Sequence, residues 1–77
     1  MEVYLNMTLN KINRGQRFKI KNINEKSSRE QAIRLGLFEG AYAECIYKLP
    51  YGPIIVKAGM QEIAIGRNLA KNIIISV

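Results

Sequence analysis

Two glycines four positions apart, Gly36 and Gly40, bracket the step Leu37-Phe38-Glu39 between a helical pattern before and a strand pattern after. Gly36 falls where a helix would close on a left-handed residue, a conformation glycine adopts without steric cost. Gly40 then lets the chain turn sharply into the alternating run at 41–48. No nucleophile, base or metal ligand other than Glu39 lies in this corner. It is a helix-to-strand joint, not a catalytic loop.

The remaining elements arrange themselves around that joint. Leu9 and Ile12, three apart after Thr8, predict one helical turn ending at Gly15. Residues 16–24 alternate, with Phe18 and Ile20 on one face and Arg17, Lys19 and Lys21 on the other, the pattern of a half-buried strand. Ser27 to Glu30 and Ser28 to Gln31 form two overlapping capping boxes, so a short helix is expected from there to about Leu35. Ile33 and Leu37 give it an apolar side. The run 41–48 reads as a second strand of ambiguous parity, since Ala41, Ala43, Cys45 and Tyr47 compete with Tyr42 and Ile46 for the inner face.

Leu49-Pro50-Tyr51-Gly52-Pro53 is a turn, with two prolines and a glycine within four positions. A third strand at 54–58, a turn at 59–61, a fourth strand at 62–66, one helical turn at 68–71 and a fifth strand at 73–77 complete the pattern. Five short strands with one short helix and one or two helical turns, in 77 residues, predict a single mainly β domain over 1–77. A small barrel is favoured because closure removes sheet edges.

Absent residues exclude most chemistry. The chain has no histidine and no aspartate, which removes Ser-His-Asp and Cys-His machinery. Cys45 and six glutamates are the remaining side-chain metal donors of any strength. Cys45 reads as a small buried strand residue rather than a ligand or nucleophile. The six glycines match neither a phosphate loop nor a dinucleotide fingerprint. No enzyme, no cofactor and no metal site are therefore expected. The isolated chain should hold no iron or zinc stoichiometrically, and a saturable heat on anaerobic titration with ferrous iron would refute that.

One cysteine allows no internal disulfide and fits a reducing compartment. Apolar runs such as 54–56 and 73–75 are too short to cross a bilayer, and residues 1–10 carry no signal-peptide pattern. The cytoplasm is the expected location.

Charge is lopsided. Lys11, Arg14, Arg17, Lys19, Lys21, Lys26, Arg29 and Arg34 are eight of the twelve basic residues, and Glu25 and Glu30 leave that span at the whole chain's net +6. Such a field recruits nucleic acid, anionic lipid or an acidic protein face, or is simply a solvated strand face. Of the aromatics Tyr4, Phe18, Phe38, Tyr42, Tyr47 and Tyr51, most tyrosines follow the basic span. Stacking on bases within a basic groove therefore needs the fold to interleave them.

Read in order, Leu9-x-x-Ile12-x-x-Gly15, Arg34-Leu35-Gly36-Leu37, Gly40, Leu49-Pro50-Tyr51-Gly52-Pro53-Ile54, Ile63-Ala64-Ile65 and Leu69-Ala70-x-x-Ile73 resemble the ferrous-iron transport protein A (FeoA) family from Met7 to Val77. Glu39 stands where that family usually has proline, and Gly66 where it usually has a basic residue. The resemblance implies an SH3-like small barrel in the bacterial cytoplasm. It implies an accessory role beside FeoB, a large membrane ferrous-iron transporter with a cytosolic G-protein domain. The same module resembles the carboxy-terminal domain of iron- and manganese-dependent repressors, which ties the family to transition metals. The family supplies no catalytic motif to carry over.

The function expected is thus an interaction module that docks on the cytosolic part of such a transporter and is recruited through it to the membrane's inner face. A nucleic-acid-binding basic barrel is the alternative, and a direct metal sensor or carrier a third reading that rests on family association alone. Leu37, Phe38, Leu49 and Tyr51 are the expected partner-binding anchors, at places a small barrel struggles to bury. Arg29 and Arg34, just before the corner, are expected to steer an acidic or phosphate-bearing face.

Overall fold

The structure is a computed structural model that describes residues 6–77, so Tyr4 and the first five positions of the expected domain lie outside it. Its strands are β1 (Asn6–Thr8), β2 (Arg17–Ile23), β3 (Tyr42–Lys48), β4 (Ile54–Ala58), β5 (Gln61–Ile65) and β6 (Ile73–Ser76). Helix α1 spans Lys26–Arg34, helix α2 spans Arg67–Ala70, and a 3-10 turn covers Leu9–Lys11. The architecture is the mainly β, SH3-like one expected, with six strands rather than five. β1 is the addition: three residues without alternation, held only by pairing with β6.

The six strands form one antiparallel sheet in the order β1-β6-β2-β3-β4-β5. The middle of it is a meander from β2 to β5. β6 enters between β1 and β2, so Ile75 faces Met7 on one side and Ile20 on the other. Phe18, Ile20, Ile23, Cys45, Ile54, Val56, Ile63, Ile65, Ile73 and Ile75 meet in one core with Leu9 and Ile12 of the 3-10 turn region.

Two bulges re-aim side chains along the sheet. In β2 the register shifts between Ile20 and Asn22, and the additional residue lets Ile23 return to the core while Lys21 and Asn22 both face water. In β3 it shifts between Cys45 and Tyr47, so Ala43 and Cys45 point inward and Tyr47 outward. This shift is the physical reason for the ambiguous parity of 41–48. On the outer face Arg17, Glu44, Lys57 and Glu62 are paired in turn across β2 to β5, alternating in sign. Opposite charges on facing strands support that register.

Helix α1 departs from expectation at its start. Neither serine caps it. The helix begins at Lys26, one residue before Ser27, after Glu25 at φ 70°. The serine hydroxyls, already inside the first turn, donate to Glu25 Oε1 at 2.6 Å and 3.3 Å, and Ser28 Oγ accepts from Asn72 Nδ2 at 2.9 Å.

The helix ends as expected at Gly36, φ 90°. Gly36 N donates to Ile33 O and Leu37 N to Ala32 O, a Schellman closure in which the residue after glycine packs back on the last turn. Leu37 and Ala32 are both fully buried for that reason, whereas Ile33, expected on the inner side, is 65% exposed.

Candidate functional site

The corner that ends α1 turns Leu37 inward and Phe38 outward. Phe38 is 58% exposed and, with Ile33, Ile23, Arg29 and Glu39, lines an apolar depression of about 180 Å³. Ile33 and Arg29 come from one side of α1, four residues apart. Arg29 Nη1 donates to Ile23 O at 3.2 Å, which anchors the guanidinium at the rim. Gly40, at φ 90°, donates to Ile20 O at 2.7 Å and ties the far end of the corner to β2. Arg34 is exposed in the last turn of α1, next to Ile33 in sequence.

The six expected partner-binding residues do not form one surface. Leu37 is core, buried by the Schellman closure, and is not available to a partner. Leu49 is half-buried and packs against Gly52, while Tyr51 is fully exposed at the tip of the β3–β4 turn. That turn and Phe38 lie beyond opposite ends of β3, whose seven residues extend about 20 Å. Phe38, Arg29 and the unforeseen Ile33 make one site, and Tyr51 stands apart from it.

Arg67 also went unread in the sequence. Its Nε donates to Gly52 O at 2.9 Å, and its Nη2 to the carbonyl oxygens of Leu49 and Pro50. One planar guanidinium thus gathers the β3–β4 turn from 15 to 18 residues away.

No group of three or more His, Cys, Asp or Glu side chains gathers where a metal ion could sit among the described residues. Cys45 is fully buried, and that burial pushes its thiol pKa up, against the weaker pull of Lys48. An unfolded thiol loses its proton near pH 8.5, about where the native one still holds it. Above that pH the native state therefore binds more protons than the unfolded chain, and stability falls as pH rises. Urea midpoints should decline as the pH rises above about 8.5 more steeply than in Cys45→Ala. Parallel slopes would clear the thiol.

No helix among the described residues is long and apolar enough to cross a membrane. The chain matches the model of the FeoA domain over residues 7–77. It is similar to the crystal structure of an iron uptake regulatory protein (FeoA), at 27% identity and a TM-score of 0.86, over 95% of this chain and 100% of that one. The FeoA protein of Chlorobium tepidum matches at 27% identity and a TM-score of 0.79, over 92% of this chain and 70% of its own. A manganese-dependent transcriptional repressor shares the fold at 13% identity, with a TM-score of 0.84 over 96% of this chain and 42% of that one. Among curated proteins none matches.

Proposed function

The chain belongs to the FeoA family, and on that premise we propose that it is an accessory protein of ferrous-iron uptake, an interaction module that docks on the cytosolic part of a FeoB-type transporter. It works in the cytoplasm, held at the inner face of the membrane through that partner, and performs no catalytic step of its own. One observation supports this reading above others: Phe38 and Ile33 stay exposed around an apolar depression, although Leu37 of the same corner and Phe18, Ile20 and Ile23 of β2 are buried in the core. An apolar anchor with charge at its rim suits a modest protein contact. Arg29 and Arg34 would steer an acidic face towards it.

Phe38→Ala and Ile33→Ala should each weaken binding to the transporter's cytosolic domain by roughly tenfold, about 1.4 kcal/mol. Because both side chains are largely exposed, their melting temperatures should stay close to that of the unaltered chain. Reversing Arg29 and Arg34 to glutamate should mainly slow association at low salt. A pull-down paired with a melting curve reads both effects. Full binding by both alanine variants removes this surface from the account. Failure of the unaltered chain to bind the domain removes the module reading itself.

A further inference from the structure

A second depression lies on the outer face of the sheet, where β6, β2 and β3 run side by side. This groove, of about 490 Å³, is lined by Arg17, Lys19, Lys21, Tyr42, Ser76 and Val77, with the buried Phe18 at its floor. Lys19 sits at its centre, paired with Tyr42 on one strand and Ser76 on the other. Its Nζ lies 5.6 Å from the centre of the Tyr42 ring, which is itself 71% exposed.

The cations are poorly compensated. Among the described residues the one ion pair on this face is Arg17 with Glu44, at 3.6 Å, with Arg17's side chain 88% exposed. An exposed pair of that kind is weak and readily exchanged. Lys19 and Lys21 have no carboxylate side chain within 4.0 Å among the described residues. Three like charges along a single strand repel one another, and an anionic ligand relieves that repulsion.

Geometry narrows the ligand. Side chains two apart on a strand repeat at about 6.7 Å, the spacing of Arg17 and Lys19, and an extended peptide repeats its own alternate side chains at the same interval. Of the two aromatic residues at the groove Phe18 is buried in the core, so Tyr42 alone offers an open ring face, whereas single-stranded nucleic acid needs successive stacking platforms. Farther along β3 the carboxylate of Glu44 precedes Tyr47, which carries Arg14 at 5.5 Å from its ring centre. A phosphate backbone continuing from Tyr42 to Tyr47 would have to pass that negative charge. We infer that this groove binds a short, extended acidic peptide segment with carboxylates at alternate positions, Arg17, Lys19 and Lys21 pairing with them and Tyr42 supporting the stems between. The groove shares no residue with the Phe38 depression, so this inference and the docking reading succeed or fail separately.

The test is fluorescence anisotropy on the full chain, near physiological salt. The probe is a labelled octapeptide alternating glutamate and threonine, compared with its glutamine counterpart and with an oligothymidylate of matched charge. The glutamate peptide should bind at least about tenfold more tightly than the glutamine one. Lys21→Glu, an exposed change at the bulge, and Lys19→Glu should each remove most of that difference, and Tyr42→Ala should weaken binding severalfold. Equal affinity for the two peptides, or undiminished binding by the lysine variants, overturns the inference. Tighter binding of the oligothymidylate that falls with Tyr42→Ala overturns it too, in favour of nucleic acid.

Discussion

Replacing Ile75 by alanine should remove a large share of this domain's stability. Ile75 is fully buried on β6, between Met7 of β1 and Ile20 of β2. Truncating such a residue removes its transfer free energy and leaves a cavity, at a cost of about 2–5 kcal/mol. A chain of 77 residues has a total stability of about 4–12 kcal/mol at ordinary values per residue. At about 3 kcal/mol, the substitution should lower the melting temperature by roughly 12–24 °C. Ile33→Ala, at a 65% exposed position of α1, supplies the contrast and should shift it little. If Ile75→Ala melts within a few degrees of the parent, the packing of β6 described above is wrong.

Loss of Arg67 should loosen one turn before it loosens the whole molecule. Arg67→Ala strands the carbonyl oxygens of Leu49, Pro50 and Gly52, which now share a charged donor. Hydrogen bonds of this type contribute about 1.5–3 kcal/mol each at most, less for a partly exposed group. A local cost of about 2 kcal/mol raises the open population of the turn more than tenfold. Tyr51, fully exposed at its tip, then becomes a better chymotrypsin site, and the rate of cleavage after it should rise by that factor. Arg67→Lys should restore little, because a point-like ammonium lacks the fork that spans three acceptors. Unchanged cleavage in Arg67→Ala would show that the turn holds itself. Should Tyr51 also serve a partner, the same variant would weaken that contact without touching it.

Much of this fold was legible because its strongest signals are local. Gly36 announced the end of α1, and the alternation of Arg17 to Lys21 announced β2, from a few neighbouring residues. What escaped depends on residues far apart in the chain. β1 exists through pairing with Ile74, Ile75 and Ser76, and nothing within Asn6–Thr8 marks it as a strand. The serines at the start of α1 carry a sound capping pattern, yet the helix begins one residue before Ser27, and Glu25 and Asn72 engage their hydroxyls instead.

Which corner residues are exposed was legible in part for the same reason. Phe38 was correctly placed at an exposed corner, but Leu37 and Ile33 exchanged roles, since the Schellman closure chooses which apolar side chain turns inward. Lys19 and Tyr42 are 23 positions apart, and only the β2–β3 register brings them together.

The position of β6 has a consequence for how the chain is made. Ribosomes release residues in order, and domains generally fold as units once their sequence has emerged. Here the meander from β2 to β5 can assemble early, since each strand waits only for the next. β1 cannot: its hydrogen-bonding partner is β6, more than sixty positions later, and β2 waits for the same strand on its other edge. Until the tunnel has delivered Ile73–Ser76, the nascent chain carries an incomplete sheet with an open edge at β2. Completion of this sheet is therefore tied to the arrival of β6, and a chain without that strand would hold its meander but lack the link between β2 and β1.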